Sequence, residues 1–256
     1  MVFVLLFIAP KIKPASEEQE GEPAAKAEMS DAATLDVYLN MAQKSLEPGL
    51  KKQMEQLMAT HKNDSLSAFW DRLKRPDLAS VYSEEQAKAE NTAAAWFKAG
   101  NRYYYAVQFS KDKTEIPALY QCAMRCFNKG LALEPNNTDA RIMLASCYVE
   151  GSPDPMEGIS RLRQIEKTDS NNVKLQLTFA FFSVKSGQLD RAITRFNKVL
   201  AVDSSYIEAY LHLADAYEQL GETESTIKAL EAYAARTPEV TARNEINKYI
   251  QQLKNK

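Results

Sequence analysis

The chemically versatile side chains of this sequence are few: Cys122, Cys126 and Cys147, and the histidines His61 and His212. Thiolates and imidazoles could hold zinc or form a nucleophile–base pair. Cys122 and Cys126 lie four apart, on one face of an expected helix. They lack the two-residue spacing and the companion ligands of a zinc site. All three cysteines are expected as small buried apolar residues, and their odd number leans towards a reducing compartment. The histidines fall in different helical units, and no motif gives either a carboxylate or cysteine partner, so both are expected as partly exposed helical residues. No glycine-rich phosphate loop, nucleophile elbow or metal-binding helix motif is present. The residues therefore describe a protein that is not an enzyme and takes no cofactor or metal.

The elements around these residues read as helices. Ala, Leu, Lys, Glu and Gln dominate, and eight glycines are few for an all-β or nucleotide-binding α/β protein. The 256 residues are 45% hydrophobic, enough for a sizeable core in one or two units. A net charge of −2 argues against a general nucleic-acid-binding role.

Residues 2–9 (VFVLLFIA) form an apolar run. At ~1.5 Å per residue a helix of that length cannot cross a ~30 Å hydrocarbon core, and the run lacks the basic start and cleavage site of a secretory signal. It reads as the end of a truncated membrane anchor, as a monotopic tail, or as a loosely packed terminus. Lys11 and Lys13 follow it without settling the side of the membrane. The expected location is membrane-associated, otherwise cytoplasmic. Residues 10–30, rich in Pro, Glu and Ala, read as a disordered acidic linker.

Residues 31–91 begin the helical patterning. Leu35, Tyr38 and Leu39 mark one amphipathic stretch, and Leu50, Met54 and Leu57 mark another, with Pro48 between them. The segment 65–90 carries Leu66, Phe69, Trp70 and Leu73, a break at Arg75-Pro76-Asp77, then Leu78, Val81 and Tyr82. It reads as a worn helical hairpin.

Further on, Ala180, Ala192, Phe196 and Ser204 recur 34 residues later as Ala214, Thr226, Leu230 and Pro238. Such a period marks stacked helix–turn–helix repeats. Gly100, Ala145, Ala180 and Ala214 fall where paired helices would cross, faced by Ala123, Gly158, Ala192 and Thr226. Small residues there let backbones approach. Trp96 and Tyr103, then Phe127, Gly130 and Pro135, place an earlier unit on the same pattern.

The pattern resembles the tetratricopeptide repeat (TPR) family: a large residue opens the first helix, Leu-Gly or Leu-Ala and a Tyr follow, and Pro closes the second helix. The match covers residues 92–238 in four units. It implies an all-α fold, a right-handed α-α superhelix of helical hairpins. Residues 239–256, with Ile246, Tyr249, Ile250 and Leu253, would form a capping helix. Tyr103 to Ala123 spans 20 positions where Tyr217 to Thr226 spans 9, so the first unit carries an 11-residue insertion. One reading lengthens both helices by about one and a half turns, joined at Ser110 to Thr114 with Pro117 early in the second. The other is a tolerated surface insertion.

Members of this family usually bind a peptide in a concave groove lined by their first helices. The resemblance places that groove at Phe97, Asn101, Tyr104 and Tyr105, then Ile142, then Lys174, Leu177, Phe181 and Lys185, then Leu211, Asp215 and Glu218. Such a lining, aromatic at its start and acidic at its end, suits a segment with an apolar anchor and a basic flank. The alternative is that Phe97, Tyr104 and Phe181 pack against preceding helices, with residues 33–60 filling the groove. The carboxylate clamp of the chaperone-binding branch would fall on Phe97, Asn101, Met143, Lys174 and Thr178; only Asn101 and Lys174 fit, which disfavours an acidic chain terminus as ligand. The expected role is a protein–protein interaction scaffold binding another protein or peptide, tethered to a membrane through residues 2–9. The layout is similar to membrane-anchored bacterial TPR adaptors. A self-associating structural protein, or an accessory subunit of an enzyme or envelope-assembly complex, are the alternatives.

Overall fold

Apolar stripes at helical spacing, interrupted by Pro, Gly and Asn, give helices throughout. The computed structural model describes residues 31–60, 62–110 and 113–255, and among them there are thirteen α-helices, one 3-10 turn and no strand. The helices are α1 Asp31–Lys44, α2 Pro48–Ala59, α3 Asn63–Arg72, α4 Pro76–Glu90, α5 Ala93–Ala106, α6 Ile116–Leu133, α7 Thr138–Gly151 and α8 Pro155–Thr168. They continue with α9 Val173–Lys185, α10 Leu189–Val202, α11 Glu208–Gln219, α12 Thr223–Ala234 and α13 Val240–Lys254. The all-α class expected from the sequence is the class observed. Residues 2–9 and 10–30 lie outside the described residues, as does His61. None of the described helices is long and apolar enough to cross a membrane.

Local chemistry fixes the helix ends. Pro48, Pro76 and Pro117 sit in the first turns of α2, α4 and α6, where a missing N–H leaves no helix bond unmade. Thr92, Asn137 and Asn172 cap α5, α7 and α9, each side chain accepting from the amide three residues on, at 3.2, 2.9 and 3.0 Å. Helix α3 ends differently. The amide of Lys74 donates to Asp71 and that of Arg75 to Trp70, with Lys74 left-handed at φ 58°. This is a Schellman closure with Lys where Gly is the least strained residue.

The chain divides into two compact units, one of residues 25–165 and one containing residues 166–256. In the first, α3 pairs with α4 and α5 with α6, each packing on the next helix in sequence up to α7. The hairpin expected over 65–90 is the α3–α4 pair. Its helices approach closely because Ser67 lies between them, donating to the Ala79 carbonyl at 2.9 Å and lying 3.1 Å from the Ser83 hydroxyl. One core gathers Leu66, Phe69, Trp70, Leu78 and Tyr82. A second gathers Leu35, Trp96, Tyr103, Leu119 and Phe127. Helix α1 packs on α4 and α6, and α2 packs on α3.

A polar knot sits within this packing. The buried carboxylate of Glu84 accepts from the Tyr103 hydroxyl at 2.8 Å and from Arg125 Nε and Nη2 at 3.0 and 2.8 Å. Tyr103 is pushed well above its ordinary value, first by burial and then by the Glu84 charge. All three cysteines are buried, as the sequence suggests, and burial pushes the thiols of Cys126 and Cys147 up.

The 11-residue insertion takes a form of its own. Helix α6 runs for 18 residues against 14 in α10, whereas α5 has 14 against 13 in α9. Only the second helix gains a full turn. The first gains the single 3-10 turn Val107–Phe109, so the expected lengthening of both helices is half right.

In the unit containing residues 166–256 the repeat is visible in the backbone. Gly187 and Gly221, 34 positions apart, are left-handed at φ 73° and 78° and close α9 and α11 with the same bonds. Gln188 donates to Ser183 at 2.8 Å as Glu222 donates to Tyr217 at 2.9 Å. Phe196, Leu213, Leu230, Ile250 and Leu253 form the core, and α13 packs on α12. Arg195 bonds Glu166 and Gln176 while lying over the Phe179 ring at 4.5 Å. Burial alone would raise the Glu166 carboxyl, but these hydrogen bonds outweigh it and hold it below the usual range.

Candidate functional site

Helix α5 is amphipathic in a way that makes a site. Its inner face, Ala95, Trp96, Ala99, Gly100, Tyr103 and Ala106, is buried. Phe97, Asn101 and Tyr105 recur at intervals of four and therefore share another stripe. The 3-10 turn continues that stripe by one step to Phe109. These four residues line a depression of about 550 Å³ whose other wall is Asp71 and Pro76, at the α3–α4 turn.

Neighbouring contacts fix each wall. Trp96 Nε1 donates to Asn91 Oδ1 at 3.2 Å, where Asn91 ends α4 in a left-handed conformation. The Phe97 ring lies over Gly130 so closely that any side chain there would collide with it. Arg102 Nη2 donates to both oxygens of Asp71, at 2.7 and 2.6 Å, and ties α5 to the end of α3. Lys98 stands 3.5 Å from Asp64. Between these ties Tyr105 is 53% exposed and Phe109 65% exposed. Two large aromatic side chains beside one concavity form an apolar surface able to receive an apolar side chain.

Of the residues expected to line a groove, Phe97, Asn101 and Tyr105 meet in this depression. Two others are corrected. Tyr104 turns away: its hydroxyl donates to Glu150 at 2.5 Å and its ring meets Tyr120 edge-on at 6.0 Å. Burial first, then the Glu150 carboxylate, pushes its hydroxyl far up. Ile142 is fully buried, because α7 is enclosed on every side from Ile142 to Cys147 and presents no free face there.

The remaining expected residues lie in the other unit. Phe181 is 42% exposed and sits edge-on to His212 at 4.9 Å and to Phe196 at 5.6 Å. Leu177 and Leu211 pack partly against the same core. Lys174 is half-buried and Lys185 exposed. Asp215 accepts from Gln219 at 2.9 Å. Glu218 accepts from the Tyr249 hydroxyl, which raises Tyr249 to about 12. His212, expected as an ordinary helical residue, stacks on Phe196 at 5.1 Å and 19°. Burial holds its imidazole below the usual value.

Sequence reasoning missed Phe109, Pro76, Arg102 and Asp71. Phe109 had a signal, the continuation of the every-fourth-residue stripe past Tyr105. The partnership of Asp71 with Arg102 joins positions 31 apart and had none.

Comparison with known proteins places the repeats. The family models described as TPR repeat and as tetratricopeptide repeat match residues 184–221 and 207–239. No curated protein sequence matches. Among solved structures, a tetratricopeptide repeat protein from Parabacteroides merdae is similar over 88% of this chain and 84% of its own, at 15% identity and TM-score 0.53. PilW, a type IV pilus biogenesis factor, is similar over 74% and 91%, at 16% and 0.50. A thermophilic TPR protein from Thermus thermophilus is similar over 75% and 96%, at 16% and 0.50. At such identities the likeness is one of fold. The chain thus carries tetratricopeptide repeats over residues 184–239, within an all-α fold of helical hairpins like that of these solved structures.

Proposed function

We propose that the chain docks a segment of a partner protein on the α5 face, with Phe97, Tyr105 and Phe109 receiving a bulky apolar side chain and Asn101 offering its amide to the partner's backbone. The observation that carries this reading is the exposure of Tyr105 and Phe109, 53% and 65%, along one wall of a single depression. Exposed aromatic pairs in a concavity are the usual anchors of protein interfaces. A second contact patch, in the other unit, comprises Phe181, Leu177, Leu211, Lys185 and Asp215. Residues 2–9 serve in this reading as a membrane-facing tail.

The test is selection of short displayed peptides on the full chain, followed by affinity measurement against Tyr105→Ala/Phe109→Ala and, separately, Phe181→Ala. Selected peptides should bind the Tyr105/Phe109 variant at least about tenfold more weakly. Equal affinity for that variant and wild type would sink the α5 assignment. Flotation with phospholipid vesicles tests the tail: wild type should float and Leu5→Asp/Leu6→Asp should not.

A further inference from the structure

We infer that Glu115, which does not itself line the α5 depression, is a positioning residue for it: its buried carboxylate ties the two walls together and sets where Phe109 stands. This rests on the α5 reading and concerns how that site is held. Phe109 ends the three-residue 3-10 turn Val107–Phe109. A turn that short does not hold itself in place, and its closing bond, from the Ser110 amide to the Val107 carbonyl, is long at 3.3 Å. Val107 packs partly against the core of Trp96, Tyr103 and Leu119. That contact anchors the start of the turn and leaves its far end, with Phe109, to other ties.

Those ties converge on Glu115, the residue before α6, which is 6% exposed. The hydroxyl of Ser110, next to Phe109, donates to Glu115 Oε2 at 3.0 Å. On the other side, Arg75 Nη2 stands 4.0 Å from Glu115 Oε1. Arg75 precedes Pro76, the lining residue of the facing wall, and is itself fixed by Asp77 at 2.6 Å. One carboxylate therefore meets the neighbour of Phe109 with one oxygen and the neighbour of Pro76 with the other. A carboxylate taken out of water is costly unless its partners are in place, so both partners, and the walls they belong to, are held to it.

The foot of the turn is braced from a further side. Thr114, beside Glu115, lies 2.7 Å from the Tyr38 hydroxyl on α1, the helix that packs on α4 and α6. A ring held in its docking position binds more tightly than one that must be ordered by its partner, because the ordering cost is met beforehand. The arrangement selects no partner sequence. It acts through the placement of Phe109.

The test uses the full chain and a fluorescein-labelled peptide selected on it by display, with affinity read by anisotropy. Ser110→Ala and Glu115→Ala should each weaken binding about fivefold, the order of one hydrogen bond. Measured in the Phe109→Ala background, each loss should shrink to about twofold or less, since no ring is left to position. A merely structural loss would be the same in both backgrounds. Ser110→Ala removes a single hydroxyl from a half-exposed residue, so it carries the test should Glu115→Ala lower the melting temperature. Wild-type affinity in Ser110→Ala, or a loss that persists without Phe109, overturns the positioning role while the α5 reading stands. If no peptide is selected, or Tyr105→Ala/Phe109→Ala binds as wild type does, the α5 reading falls and the positioning role falls with it.

Discussion

The amide of Arg75 donates to the carbonyl of Trp70 at 3.0 Å, closing α3 and holding Lys74, between them, at φ 58°. A residue with a Cβ is strained there by roughly 1 kcal/mol relative to glycine. Lys74→Gly should therefore leave the fold intact and raise stability by about 0.5 kcal/mol, since the greater freedom of glycine in the unfolded chain takes back part of the gain. Urea denaturation checks this. A loss of stability would mean that the Lys74 side chain contributes to folding.

Gly158 shows where the repeat needs a missing side chain. A Cβ placed on it would stand 2.5 Å from the Ala145 carbonyl oxygen and 2.6 Å from the Val149 amide nitrogen. Both are backbone atoms and cannot yield without moving α7. Gly158→Ala should cost about 2 kcal/mol from overpacking, partly masked by a gain of about 1 kcal/mol in helix propensity. At Gly49, with nothing within 4 Å, the same change should be neutral or slightly stabilising. Melting temperatures of the two variants, moving in different directions or by clearly different amounts, are the check.

Arg125 and Glu84 form a pair that is harder to break than to remove. Glu84 is 4% exposed, so Arg125→Met would leave a buried carboxylate with Tyr103 as its remaining close donor. That single change should destabilise by about 3 kcal/mol. Adding Glu84→Gln to it should recover part of the loss, because the buried charge goes as well. A double-mutant cycle by chemical denaturation measures the coupling, and strict additivity would contradict the account.

His212 gives the chain a pH dependence with a definite sign. Burial lowers its pKa in the folded state, against the opposing pull of Asp215 and Glu208. In the unfolded chain it titrates near ~6.5. Between these values the unfolded chain binds more protons, so the contribution to stability is full above about pH 6.5 and is lost as pH falls through the folded value. The denaturation midpoint should drop more for wild type than for His212→Phe, which keeps a ring on Phe196, between about pH 7.5 and pH 5.5. A wild-type-to-variant difference independent of pH would show that the imidazole is not buried as described.

Much of the fold was legible because it is written in columns of small and large residues. Ala180 with Ala192, and Ala214 with Thr226, mark helix crossings that recur at one period, and the structure repeats the glycine turns at the same step. The periodicity identifies which face of a helix is apolar. It does not say whether the opposite face is also covered, and so Ile142 looked available in the sequence although α7 is enclosed. Tyr104 was misplaced for a related reason: its hydroxyl finds Glu150, 46 positions away, a pairing invisible to local spacing. The insertion was seen, but its extra residues went into α6 and a 3-10 turn, and that turn is what delivers Phe109 to the depression.

The central claim, that a partner segment docks on α5, is tested most directly by hydrogen–deuterium exchange of the full chain with and without a peptide selected on it. Added protection should be confined to the segment 94–109 and to the α3–α4 turn around residues 71–76, and it should vanish with Tyr105→Ala/Phe109→Ala. Protection confined to α9 and α11, or unaffected by the loss of the two aromatic side chains, would contradict it.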